Sequence, residues 1–138
     1  MFKRILIANR GEIAVRIIRT CQELGIEAVA IYSNVDSTSL HVQLADHAVC
    51  IGSAKATDSY LNMKNILSAA TALGCDAIHP GFGFLSENST FARLVEECGM
   101  TFIGPSGDII DMMGNKSMAR QKMIEAGVPV VPGSDGSV

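Results

Sequence analysis

Two rhythms of apolar and polar residues alternate along the chain. Short unbroken apolar runs lie at 3–8 (KRILIA), 27–32 (EAVAIY), 47–51 (HAVCI), 76–79 (DAIH) and 101–103 (TFI). Runs of this kind, bounded by turn residues, predict strands covered on both faces. Between them, apolar residues recur at spacings of three and four. Ile13, Ile17, Ile18, Cys21 and Leu24 share one face of a helix predicted from Gly11 to Leu24, and Gly25 follows as its stop. Asp36 to Ser39 opens a short helix. Asp58 and Ser59 are placed to cap a helix from Tyr60 to Leu73 that Gly74 ends. Ser86 to Ser89 offers caps for a helix that runs to Cys98 and stops at Gly99.

Strands that alternate with helices in this way predict an α/β fold. The expected architecture is an open, doubly wound, mostly parallel sheet of about five strands. After Gly104-Pro105 the rhythm changes. Residues 106–113 (SGDIIDMM) predict a helix, Gly114 interrupts, and Asn115 caps a further helix to Ala126. A strand candidate with Gly- and Ser-rich residues closes the sequence. Residues 1–114 are thus expected to form one domain, and 115–138 the start of a second that continues past Val138. A half-built second unit leaves Ile109, Ile110, Met112 and Met113 exposed.

Composition narrows the function classes. The chain has 138 residues, 48% hydrophobic and 18% charged, with a net charge of −3. A chain of this length buries roughly 70% of the surface its unfolded form exposes, enough for a real core. It carries no run of Lys or Arg, which argues against nucleic acid and anionic membranes as partners. No apolar stretch approaches the roughly 18 residues of a membrane span, and the apolar run after Lys3 and Arg4 is too short for a signal peptide. A cytoplasmic protein is expected. Cys21, Cys50, Cys75 and Cys98 lie 23 to 29 positions apart without a C-x-x-C pair. They are expected to be reduced core thiols, with no metal site.

Ligands of open α/β sheets bind outside the carboxyl ends of the strands. The turns 9–12, 33–38, 52–58 and 80–88 occupy that edge. The first, in IANRGEIAVR (7–16), is where a dinucleotide fingerprint would stand, and it reads Asn9-x-Gly11-x-x-Ala14. The first glycine is missing. No acidic residue ends the second strand to hold a ribose, since Asp36 lies further on and has capping work available. Arg10 and Glu12 crowd the turn. A tight structural turn fits better than an NAD or FAD site. The fourth turn, HPGFGFLSEN (79–88), alternates Gly81 and Gly83 with Phe82 and Phe84, which leaves backbone exposed beside aromatic faces. It is a ligand-loop candidate. Within it, His79 reads better as a satisfied core histidine at the strand end than as a ligand contact, and Glu87 reads also as a helix-dipole partner. On the first helix, Arg16, Arg19 and Glu23 form a polar face, either solvated, with Arg19 and Glu23 paired at i,i+4, or a partner surface. Lys116 at a helix start is disfavoured by the dipole, so it reads equally as a contact to an anionic partner such as phosphate and as an exposed lysine that points away.

Together, IANRGEIAVRIIRTCQELGIEAVAIYS (7–33), Asp36 with HVQLAD (41–46), HPGFGFLSEN (79–88), FIGP (102–105), MGNKSMAR (113–120) and AGVPVVPGSDG (126–136) resemble the N-terminal part of a biotin carboxylase. The resemblance runs in order along the whole chain. It implies a Rossmann-like pre-ATP-grasp domain followed by the helical opening of an ATP-grasp domain. The implied parent is a ligase of acetyl-CoA carboxylase, in fatty-acid synthesis, or of a relative such as pyruvate or propionyl-CoA carboxylase. It uses ATP, Mg2+ and bicarbonate to carboxylate biotin on a biotin carboxyl carrier protein, and a carboxyltransferase takes the product. The resemblance assigns ATP binding to Lys116, and loop positions His79, Phe82, Gly83 and Glu87 to the biotin or bicarbonate pocket. It makes Arg16, Arg19 and Glu23 homodimer-interface candidates. It places no complete catalytic set and no metal ligand in these residues, so the chain alone is expected to be inactive and to hold no cofactor tightly. Two positions depart from the family pattern: Asn115 stands where Asp is usual, and Phe82 where Tyr is usual. The alternatives are the pre-ATP-grasp domain of another ATP-grasp ligase and a non-catalytic dimerisation module.

Overall fold

A computed structural model of the chain describes residues 1–114. Five strands, β1 (Arg4–Ile7), β2 (Glu27–Ser33), β3 (His47–Gly52), β4 (Ala77–His79) and β5 (Thr101–Phe102), form one sheet in the order β3-β2-β1-β4-β5. Every pairing is parallel. The helices are α1 (Gly11–Glu23), α2 (Leu40–Leu44), α3 (Met63–Ala72) and α4 (Ser89–Glu97). Residues 107–114 are also helical. The domain boundary expected at 114/115, Asn115, Lys116 and the helix expected up to Ala126 lie at or beyond the end of the described residues.

The period-two geometry of strands divides the core into two layers. Leu6, Ala8, Val29, Ile31 and Ile78 face α3 and α4, meeting Ile66, Ala70, Phe91 and Val95. Ile5, Ile7, Ala28, Ala30 and Ala77 face α1, meeting Ala14, Ile18 and Cys21. Three alanines on the α1 side leave room for that helix to lie close to the sheet.

The helix stops follow from glycine. Gly25 adopts φ 74°, which any residue with a Cβ resists. There its N–H bonds Gln22 and the next N–H, of Ile26, reaches back to Cys21, satisfying carbonyls that the helix end orphans. Gly74 and Gly99 repeat the same pair of bonds after α3 and α4.

Several expectations are corrected. β3 is an edge strand: His47, Ala48 and Cys50 are exposed, and Ile51 is its one buried residue. Among the described residues, the helix packed against β3 is α3, on the side of Ile51. The third helix begins at Met63, not Tyr60, and Asn62 caps it by accepting from Asn65 N–H. Asp58 belongs to a 3-10 turn over Ala56–Asp58, and Ser59 Oγ donates to the Lys55 carbonyl instead of capping. Tyr60 is buried in the core beside the strand ends. Cys21 and Cys75 are buried as expected, but Cys50 and Cys98 are exposed, Cys50 because its strand is an edge and Cys98 because it ends α4. Ile110 packs into the layer under α4, while Ile109, Met112 and Met113 remain exposed. Arg93 holds the 107–114 helix to α4 through Asp108 and Asp111, at 2.8 and 2.9 Å.

Candidate functional site

In a sheet of this order the strand succession reverses between β1 and β4, and the crevice beyond their carboxyl ends is where ligands of such folds sit. Here that crevice is filled by protein. The chain leaves β1 at Ala8, whose N–H bonds the His79 carbonyl across the gap at 2.9 Å. Asn9 then turns inward and is 2% exposed. Its amide nitrogen donates to the carbonyls of Pro80 at 2.9 Å and Phe82 at 2.7 Å. Its Oδ1 accepts from the Arg10 N–H at 2.9 Å. Where the dinucleotide pattern has its first glycine, this chain thus has a buried side chain bonded to the loop after β4.

Arg10 turns the other way, along the edge. Its guanidinium grips the Asp36 carboxylate with two bonds of 2.8 Å, in the fork geometry that suits Arg and carboxylate. The same carboxylate accepts from Tyr60 Oη at 2.6 Å and Ser33 Oγ at 3.2 Å. Tyr60 Oη in turn accepts from the Ser33 N–H at 3.1 Å. The Arg10 guanidinium, with the Tyr60 and Ser33 hydroxyls, outweighs burial and holds the Asp36 carboxyl down to about 2. Burial and then the bond to Asp36 push the Tyr60 phenol up, so it stays a donor at neutral pH. Phe84 stacks on the Tyr60 ring at 5.3 Å, and Arg10 lies 5.8 Å from that ring's centre. The turns after β1, β2 and β4 and the segment before α3 are thereby locked into one edge.

The 80–88 loop stands on this platform. Gly81, Gly83 and Phe84 all have positive φ, at 68°, 72° and 43°. Phe82, between the two glycines, is 76% exposed. Glu87 is exposed just ahead of α4, whose first turn is capped by Asn88 accepting from Phe91 N–H. His79 points elsewhere: its ring lies on the α1 side with Phe2, Ile5, Arg16 and Ile17. Its Nδ1 accepts from the Gly81 N–H at 3.0 Å, and burial lowers its pKa. It acts as a neutral ring that closes the turn. Among the loop candidates, the structure brings Phe82, Gly83 and Glu87 to one exposed stretch and turns His79 away.

Arg16, Arg19 and Glu23 are all exposed on α1. The ion pair there is Arg16 with Glu12, at 3.3 Å, and not Arg19 with Glu23. A glutamate four residues ahead of its partner suits the helix better than the reverse order. The Asn9 tie and the Arg10–Asp36–Tyr60 cluster join residues far apart in the chain and lie outside the sequence pattern. The signals available were an asparagine at a glycine position and an arginine crowding a turn. Tyr60 offered none. Among the described residues, no three His, Cys, Asp or Glu side chains group as a metal site, and no helix is long and apolar enough to cross a membrane.

A family model described as biotin carboxylase, N-terminal domain, matches residues 1–110. Biotin carboxylase 1 of Bacillus subtilis (strain 168) is 62% identical over 138 residues, covering 100% of this chain and 31% of that protein. Among solved structures, the biotin carboxylase domain dimer of Hydrogenobacter thermophilus 2-oxoglutarate carboxylase, in complex with MgADP, ADP and bicarbonate, superposes with a TM-score of 0.83 at 56% identity. The match covers 98% of this chain and 30% of that one. Kluyveromyces lactis urea carboxylase superposes with a TM-score of 0.84 at 46% identity over 95% of this chain and 12% of that one. The chain thus spans about a third or less of the lengths of the proteins it matches.

Proposed function

The chain belongs to the biotin carboxylase N-terminal domain family, and from that premise we propose that it is the first domain of an ATP-dependent biotin carboxylase, a ligase of the acetyl-CoA carboxylase type in fatty-acid synthesis. The observation that carries the proposal is 62% identity to a biotin carboxylase along the whole chain. In the reaction, bicarbonate takes the γ-phosphoryl group of ATP to form carboxyphosphate and release ADP. The carboxyl group then passes to N1′ of biotin on a carrier protein, N1′ losing its proton as phosphate leaves, and a carboxyltransferase takes it from there. Lys116, outside the described residues, binds ATP. Its ammonium offsets the negative charge of the phosphoryl oxygens. Magnesium is held by residues later in the ATP-grasp domain, which begins at 115.

The described residues build a wall of the biotin pocket. Phe82, Gly83 and Glu87 present an aromatic face, bare backbone and a carboxylate at the carboxyl edge of the sheet, and His79 fixes the turn beneath them. Phe82 supplies stacking area without the hydroxyl usual at this position. The α1 surface with Arg16, Arg19 and Glu23 serves a homodimer, and the enzyme works in the cytoplasm. The isolated chain lacks the groups that complete the reaction and is inactive.

The test is an assay of the full-length protein for ATP hydrolysis that depends on bicarbonate and biotin. The expected result is carboxybiotin formation, with a raised KM for ATP in Lys116→Gln. Absence of biotin-dependent turnover in the wild type would remove the proposal.

A further inference from the structure

We propose that Asn9 is a positioning residue for biotin: its amide sets the backbone of the 80–84 loop and so fixes where Phe82 stands. The inference rests on the reading of that loop as a wall of the biotin pocket.

Local propensity does not hold this loop in place. Gly81, Gly83 and Phe84 all lie at positive φ, and glycine populates many other conformations as readily. Phe82 is 76% exposed, so its ring does not anchor it by burial. Among the described residues, Phe82 enters one hydrogen bond, its carbonyl accepting from Asn9 at 2.7 Å. The companion bond to the Pro80 carbonyl, at 2.9 Å, makes the amide a two-point clamp that spans Gly81. Two acceptors facing one nitrogen require the NH2 of the amide there, and its two hydrogens are both used.

The packing around the clamp is close. A Cβ on Gly81 would lie 2.6 Å from Asn9 Nδ2. The glycine therefore lets the amide reach both carbonyls, and the amide in turn blocks the loop from collapsing into the crevice. The clamp bridges 73 positions of sequence and connects the β1–α1 turn to the loop directly.

Asn9→Asp in the full-length enzyme tests this with free biotin as acceptor. The substitution preserves shape and places a carboxylate oxygen against two carbonyl oxygens. The KM for biotin is expected to rise at least tenfold, with kcat and the KM for ATP within twofold of wild type. Asn9→Ala, which loses the donors without repulsion, is expected to raise the same KM by a smaller factor, and it carries the test if the aspartate variant does not fold. A loss of kcat with an unchanged biotin KM in both variants would assign Asn9 to fold stability and overturn the inference. Phe82→Ala separates the two readings. If it raises the biotin KM and the Asn9 variants do not, the positioning role alone is wrong. If it leaves that KM unchanged, the loop does not face biotin and the underlying reading falls.

Discussion

Replacing Asp36 with Asn removes one charge from the edge cluster and keeps its shape. In the folded chain this carboxylate accepts from two Arg10 nitrogens, Tyr60 and Ser33. Its side chain is 9% exposed, so solvent screens the cluster little on that side, although Arg10 is half open to water. The carboxyl titrates at about 2 in place of 3.8. A carboxyl held nearly two units low contributes about 2 kcal/mol at neutral pH, at about 1.4 kcal/mol per unit. Because the folded value lies below the unfolded one, the contribution is fully present above about pH 4 and is lost as pH falls from there to about 2. Asp36→Asn is therefore expected to cost about 2 kcal/mol at pH 7 and much less near pH 2. Urea unfolding of both proteins at a series of pH values, followed by far-ultraviolet circular dichroism, measures the difference. An equal penalty at pH 7 and pH 2.5 would refute the electrostatic account, because only the hydrogen-bond geometry would then matter. No penalty at pH 7 would show that water replaces the cluster at no cost.

Two further outcomes test the layers around the site. Phe91→Ala is expected to destabilise by about 3–5 kcal/mol in the same urea measurement, since Phe91 is 0% exposed and meets Phe102 edge-on at 6.0 Å; a loss under about 1 kcal/mol would mean that this layer collapses around the gap. In the native protein, Cys50 and Cys98 are expected to react with a thiol reagent at pH 8 while Cys21 and Cys75 do not, because burial keeps the latter two inaccessible and pushes the Cys75 thiol up to about 11. Four fast thiols without denaturant would contradict the packing of α1 and α3.

What the residues determined unaided is what neighbours in sequence can decide. Apolar runs, helical spacing and a glycine just past α1, α3 and α4 are local signals, and they correctly predict the order of strands and helices and the parallel doubly wound class. The aromatic-glycine loop is equally local, because alternating Phe and Gly is visible in the string itself. The start of α3 is not a local matter: Asp58 and Ser59 look like caps, but Tyr60 lies in the core, bonded to a partner 24 positions away. The tertiary structure alone decided that β3 is an edge, since strand order is a matter of which parallel neighbour pairs where. It alone decided that Asn9 closes the crevice and that Arg10, half open to water, meets the buried Asp36 and Tyr60 in one cluster. Those contacts join residues 24 to 73 positions apart. Their partners are set by chain crossings that no local propensity encodes.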